Sequence, residues 1–253
     1  MFRNLFQKRR AKATTPGGAI PQGERVYAVG DIHGRLDLLE TLLQQIDADD
    51  AGRSPARTML LFLGDLMDRG PQSAQVVERL RRLKNAGANI RLLLGNHEEV
   101  FLLAVAGDLE ALRFFSRIGG KETILSYGID PADYDRFDYP ELMAAFQASV
   151  PASHIAFIQG FEDLIVVGDY AFVHAGVRPD AALDMQATKD LRWIRQGFLD
   201  HATPLERIIV HGHTIAEEVE WRAHRIGIDT GAYTTGRLTA LALEGDQRWL
   251  IQT

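Results

Sequence analysis

Apolar positions along most of the chain follow two alternating periods. Residues 25–29 form a short β-rich run that ends in Gly30-Asp31. Leu36, Leu39, Leu42, Leu43 and Ile46 then recur at helical spacing, which predicts a helix over about 35–48. Residues 59–63 are fully apolar and predict a second strand, again closed by Gly-Asp. Pro71 opens a second helix carrying Val76, Val77, Leu80 and Leu83, and Gly87 closes it. Residues 90–94 predict a third strand, ended by Gly95-Asn96. Three strand–loop–helix units in succession imply a parallel sheet.

The pattern changes over 98–160, where helices are expected at 98–106, 108–118, 121–127, 140–149 and 152–159, interrupted by the polar stretch GIDPADYDRFDYP. This stretch reads as a helical insertion capping one side of the core. The last third is strand-rich. Residues 164–167 and 170–173 flank Gly168-Asp169, the signature of a two-residue hairpin. Further strands are expected at 207–210, 225–229 and 237–243, with a final hairpin turning at Glu244-Gly245-Asp246. This half is expected to be largely antiparallel. The organisation is then a tail and linker over 1–23 and one domain over 24–253, with the cap inside it.

Composition narrows the chemistry. The 253 residues are 46% hydrophobic and 25% charged, enough chain to bury a core without disulfides or a structural metal. There is no cysteine, which excludes thiolate metal sites, iron–sulfur clusters and cysteine nucleophiles. It also fits a cytoplasmic location. The longest apolar run, 100–106, has seven residues, against about 18 for a membrane span. Net charge is −6, yet the first 23 residues carry Arg3, Lys8, Arg9, Arg10 and Lys12 with no acidic residue. The body is therefore more acidic still, which argues against nucleic acid as the main partner. Phe2, Leu5 and Phe6 have helical spacing, but the segment is expected to be a flexible tail leading into the linker TTPGGAIPQG.

The strand ends carry the candidate chemistry. Gly30-Asp31-Ile32-His33, Gly64-Asp65 and Gly95-Asn96-His97-Glu98 each follow an apolar strand, as do His174-Ala175-Gly176 and His211-Gly212-His213-Thr214 later. Ligands bind at the carboxyl ends of strands in parallel sheets. Asp31, His33, Asp65, Asn96, His174 and His213 form a set of carboxylate, amide and imidazole donors that suits manganese, iron or zinc. Six donors fit two metals if one carboxylate bridges, the arrangement that activates water for in-line displacement at phosphorus.

The ordered motifs GDIHG, GDLMDRG, GNHE, HAG and HGHT resemble the signature of the calcineurin-like metallophosphoesterases. The DRG and GNHE forms are similar to the serine/threonine protein phosphatase branch in its bacterial and phage-type form, although this chain has HAG where eukaryotic members commonly have HGG. The resemblance implies an α+β fold: two mixed sheets packed face to face and flanked by helices, in α/β/β/α layers. It also implies two divalent ions, manganese first with iron or zinc as alternatives, and a bridging hydroxide. Asp31 and His33 would bind one ion, Asp65 would bridge, and Asn96, His174 and His213 would complete the second. His97 would be the general acid oriented by Asp68, and Arg69 and Arg195 would hold phosphate oxygens, with Asn96 also near the phosphate. Hydrolysis of phosphoserine or phosphothreonine in a protein is the leading expectation. The alternatives are a dinucleoside polyphosphate hydrolase, which shares motif order and metals, and an inactive scaffold, which would be expected to have lost a ligand. His211 is assigned behind the ligands, His154 and His201 are structural or exposed, and His224 has no assigned role. The segment GGKET is not a phosphate-binding Walker sequence, since Phe115 stands where its first glycine would be.

Overall fold

The computed structural model describes residues 17–253; the basic cluster and the Phe2, Leu5, Phe6 spacing lie outside the described residues. In chain order, β1 (Glu24–Val29), α1 (Leu36–Ala51), β2 (Arg57–Phe62), α2 (Ser73–Asn85) and β3 (Ile90–Leu92) make the three expected strand–helix units. The insertion follows as α3 (Asn96–Val105), α4 (Leu109–Phe115), α5 (Lys121–Ser126), α6 (Pro131–Arg136), α7 (Tyr139–Ser149) and α8 (Ala152–Gln159). The remainder is β4 (Leu164–Val167), β5 (Tyr170–Val173), α9 (Thr188–Trp193), β6 (Ile208–His211), β7 (Glu220–Trp221), β8 (Arg225–Gly227), α10 (Ala232–Thr235), β9 (Thr239–Glu244) and β10 (Gln247–Gln252).

The strands form two five-stranded sheets, β10-β9-β1-β2-β3 and β4-β5-β6-β8-β7. Period-2 alternation decides what each face meets. In β1, Val26 and Ala28 point into the layer between the sheets, against Ile165, Phe172, Val210 and Ile226 of the second sheet. Tyr27 and Val29 point the other way, onto Leu39, Leu42 and Ile46 of α1 and Val76 and Leu80 of α2. The outer face of the second sheet, Ala171, Val173 and Ile209, is covered by Leu183, Leu191 and Phe198. The result is the expected α/β/β/α layering. The insertion has its own core, built on Phe101, Leu112, Phe115, Ile124 and Phe146.

The last third is largely antiparallel, as expected, in the pairs β4–β5, β7–β8, β9–β10 and β9–β1, but β5, β6 and β8 at the middle of the second sheet pair in parallel, which its sequence pattern did not show. The stretch between β5 and β6 contains α9 and is long enough for a crossover, which is what a parallel pair requires. The polar stretch GIDPADYDRFDYP contains a helix, α6, begun by Asp130, whose side chain accepts from the Ala132 N–H at 2.8 Å. It buries none of its residues, so it left no apolar period to read.

The linker expected to run to Gly23 is held at its described end. Ile20 is buried and its N–H donates to the Gly245 carbonyl, while Ala19 and Asp169 exchange two hydrogen bonds. The segment thus touches the turns of both hairpins.

Candidate metal centre

Nine of the ten sequence-predicted residues sit just beyond a strand of one sheet or the other, and Arg195 lies just beyond α9. Asp31 and His33 follow β1; Asp65, Asp68 and Arg69 follow β2; Asn96 and His97 begin α3 just beyond β3. His174 follows β5, and His213 follows β6. Backbone strain marks the same places. Among the described residues, the non-glycine positions with left-handed φ are His33, Asp65, Asp68, Arg69 and His213, at 47° to 70°. Side chains other than glycine pay about 1–3 kcal/mol for such a conformation, and it persists where surroundings over-determine it. Close approach also constrains Gly212, where a Cβ would lie 2.0 Å from Asp31 Oδ1.

These loops converge on Asp65. One set of donors, His33, Asp65 and His97, and a second, Asp65, His174 and His213, each lie within 4.8 Å of one another, and all five residues are buried. Asp65 Oδ2 is 3.7 Å from His33 Nε2 and 3.8 Å from His97 Nε2. Its Oδ1 is 3.4 Å from His174 Nε2. His174 Nε2 also lies 3.0 Å from Asn96 Oδ1 and 3.1 Å from His213 Nδ1. Asp31 joins through Oδ2, which accepts from the His213 N–H at 2.9 Å. Arg69 brackets one side, reaching His33 Nε2 at 2.9 Å and His97 Nε2 at 3.1 Å. Arg195 approaches the other side, with its guanidinium 3.5 Å from the His213 carbonyl. His97 Nδ1 meets Asp68 Oδ2 at 2.6 Å. All ten predicted site residues are therefore brought together.

The electrostatics follow from burial. Asp31, Asp65, Asp68, Glu98 and Asp229 are each at most 3% exposed. Desolvation, with Asp229 and Asp65 nearby, raises Asp31 well above the usual carboxylate range. Asp229 is pushed up to about 6, first by burial and then by Asp65. Burial would raise Asp65 too, but His174, His97, His33 and His213 around it hold it low. Burial lowers His33 to about 3, lowers His213 to about 2, and lowers His174 as well. His97 moves up: burial opposes protonation, but Asp65 and the Asp68 hydrogen bond outweigh it. So three imidazoles are held toward the neutral form, which metal ligation requires, and one is shifted toward the protonated form.

The donor set fits divalent cations. His33 Nδ1 and His174 Nδ1 face the carbonyls of Met67 and Leu63 at 2.7 and 2.8 Å. Donating there leaves the Nε2 lone pair of each ring to the centre, the arrangement by which backbone groups orient metal-binding histidines. Asp31 Oδ1 is buried without a hydrogen-bond partner. A buried acceptor of this kind, among five buried carboxylates, calls for positive charge.

Sequence reasoning missed three residues here. Asp229 follows β8 in Ile228-Asp229-Thr230-Gly231, the same strand-end pattern that located the others. Glu98 accepts the N–H groups of Asp65, Leu66 and Gly95 at 2.8 to 3.0 Å, fixing the strained Asp65. Burial and Asp65 push Glu98 up to about 8, but both of its oxygens are accepting, which is the geometry of the carboxylate. Tyr233 places its ring edge-on to His33, 5.3 Å between centroids, with the Arg69 guanidinium over it at 4.9 Å. Among the other histidines, His211 lies behind the ligands against Arg225 and Phe198, and His154 is buried between Tyr127 and Glu78. His201 and His224 meet edge to face, 5.4 Å between centroids.

A face-to-face sheet sandwich with a histidine–carboxylate centre at its strand ends defines a metal-dependent phosphoesterase. The chain belongs to the calcineurin-like phosphoesterase family, whose model matches residues 24–237. A symmetrical bis(5'-nucleosyl)-tetraphosphatase of Methylobacillus flagellatus is 27% identical, over 87% of this chain and 92% of its own. An asymmetrical bis(5'-nucleosyl)-tetraphosphatase of Anoxybacillus flavithermus is 26% identical over 84% of this chain and 88% of its own. Among solved structures, a protein described as a putative diadenosine tetraphosphatase shares the fold with a TM-score of 0.62, at 21% identity over 93% of this chain and 98% of its own.

Proposed function

We propose that the protein hydrolyses a dinucleoside polyphosphate, cleaving a phosphoanhydride bond with water, in preference to the phosphoserine or phosphothreonine ester expected first. The observation that carries this is similarity to bis(5'-nucleosyl)-tetraphosphatases along nearly the whole of both chains. The motifs are common to both activities, so they do not separate them. Two arginines on opposite sides of the centre also suit a substrate with several charged phosphates in a row.

Asp31, His33 and Asp65 would hold one divalent cation, and Asp65, Asn96, His174 and His213 the other. Such a pair supplies Lewis acidity, lowering the pKa of water and offsetting charge on the phosphoryl group. Arg69 and Arg195 bind phosphoryl oxygens through guanidinium forks, and so orient phosphorus toward the centre. With the Arg69 guanidinium drawn from His97 Nε2 to the phosphate, that nitrogen would carry a proton toward the leaving oxygen, while Asp68 fixes Nδ1. The leaving oxygen here belongs to a nucleotide phosphate, whose terminal pKa is about 6. That group departs without full protonation, so His97 is worth less on this substrate than on an alkyl ester.

The test is product analysis on diadenosine tetraphosphate with Mn2+, beside a phosphoserine peptide. The expected result is faster turnover of the dinucleotide, giving ADP alone from central cleavage or ATP with AMP from off-centre cleavage. A larger kcat/KM on the phosphopeptide overturns the proposal.

A further inference from the structure

Beyond α3, which carries His97 itself, the helical insertion reaches the proton-carrying end of the centre through Gly119 and Thr123. Asp68 and Arg69 follow β2 with φ of 70° and 68°, a conformation that clashes for side chains other than glycine. Groups from the cap and from α2 hold it there. The Arg69 N–H donates to the carbonyl of Gly119, at the kink between α4 and α5, at 2.9 Å. The Asp68 N–H is shared between Ser73 Oγ at 3.0 Å and Thr123 Oγ1 at 2.9 Å. Thr123 Oγ1 also lies 2.5 Å from Asp68 Oδ1 and 2.9 Å from Ser73 Oγ. A hydroxyl has one proton, and the short contact to a carboxylate takes it. Asp68, Ser73 and Thr123 are all fully buried, so water does not compete for these bonds.

A continuous chain results. Thr123 donates to one oxygen of Asp68, and the other oxygen faces His97 Nδ1 at 2.6 Å. We propose that Thr123 is a positioning residue for His97, acting through Asp68, which makes the cap part of the proton-delivering apparatus. The inference rests on His97 being the proton donor. Among the described residues Thr123 supplies the hydrogen bond to Oδ1, and without it Asp68 could turn about its terminal torsion and release the imidazole. Lys121 of the same GGKET segment is spent elsewhere, on Asp135. The segment therefore serves the centre through Gly119 and Thr123, not through its lysine.

The test uses Thr123→Val, close in shape but without the hydroxyl, and Thr123→Ser, which keeps it. Phenyl phosphate, whose leaving group needs a proton, is compared with p-nitrophenyl phosphate, whose leaving group hardly does, both with Mn2+. His97→Asn sets the full bias between the two, within the ~10²–10⁴-fold range of general acid catalysis. Thr123→Val is expected to bind as much metal as the parent and to lose ~10-fold more kcat on phenyl phosphate than on p-nitrophenyl phosphate. Thr123→Ser should stay within ~3-fold of the parent on both, as expected where the hydroxyl alone matters. In the metal-free protein, the downfield proton resonance of His97 Nδ1–H should move or broaden in Thr123→Val and persist in Thr123→Ser. If Thr123→Val does not fold, Thr123→Ala takes its place in every measurement. Equal losses on both esters with an unmoved resonance overturn the positioning role while leaving His97 as donor. Absence of bias in His97→Asn itself overturns the donor role beneath it.

Discussion

Asp65 is shared by both imidazole sets, with one oxygen toward His33 and His97 and the other toward His174. Asp65→Asn should therefore abolish stoichiometric binding of two metals, whereas Asp31→Asn should weaken chiefly one. Metal analysis of the purified variants distinguishes these, and two metals retained in Asp65→Asn excludes a shared role. Arg69→Ala and Arg195→Ala should keep their metals and lose ~10²–10³-fold in kcat, the scale found when one donor to developing charge is removed. Loss of metal from either would instead make that arginine structural. Glu98 offers a sharper case, because both of its oxygens accept N–H groups. Glu98→Gln swaps one acceptor for an NH2 that points at another donor. It should cost more stability than its small change in shape suggests, about 1–3 kcal/mol, read by urea unfolding. The six candidate ligands were legible because each motif pairs a metal-capable side chain with a glycine at a strand end, whereas Asp68, Arg69, His97 and Arg195 were legible through the family resemblance, Arg195 standing just beyond a helix. Glu98 and Thr123 were not legible, since they act through backbone groups and a neighbour's carboxylate, and such partners have no fixed spacing in sequence.

At the scale of elements, α4 and α5 meet at Gly119, with φ of 111°. A Cβ there would lie 2.7 Å from Arg69 Cγ and 3.0 Å from Arg69 N. Gly119→Ala should lower Tm by about 2–4 °C for each 1 kcal/mol of strain it introduces. It should also lower activity beyond any loss of fold, since the displaced group is Arg69; unchanged kcat with a lowered Tm would show that Arg69 tolerates the shift. The helices and strands of the first sheet were readable from period alone, because α1 and α2 each bury one stripe and β1 and β2 alternate cleanly between two layers. The parallel pairing of β5, β6 and β8 was not, since a strand's own pattern says which faces are buried and nothing of its neighbours' direction. The short β7 and α10 also escaped, having too few residues to show a period.

For the whole molecule, the five buried carboxylates around the centre make cation binding a source of stability. A ligand that binds only the folded state at a hundred times its Kd adds about 2.7 kcal/mol. Saturating Mn2+ should then raise Tm by about 5–10 °C over protein stripped with EDTA. A Tm indifferent to metal would show that the carboxylates are neutralised by protons instead.

The order of strands in the first sheet has a consequence for how the chain is made. β1 lies between β2 and β9, and the pair that ties β1 to β9 across their ends, Arg25 and Glu244, stands 219 residues apart. On the ribosome, β1 to β3 emerge long before β9, so one side of β1 waits with its backbone N–H and C=O groups unpaired. An open apolar strand edge of this kind recruits other chains. A nascent or truncated chain ending before Thr239 should therefore be a chaperone client and aggregate when released. Comparing the soluble yield of such a truncation with that of the full chain would show whether β9 is what turns β1 from a sticky edge into an interior strand.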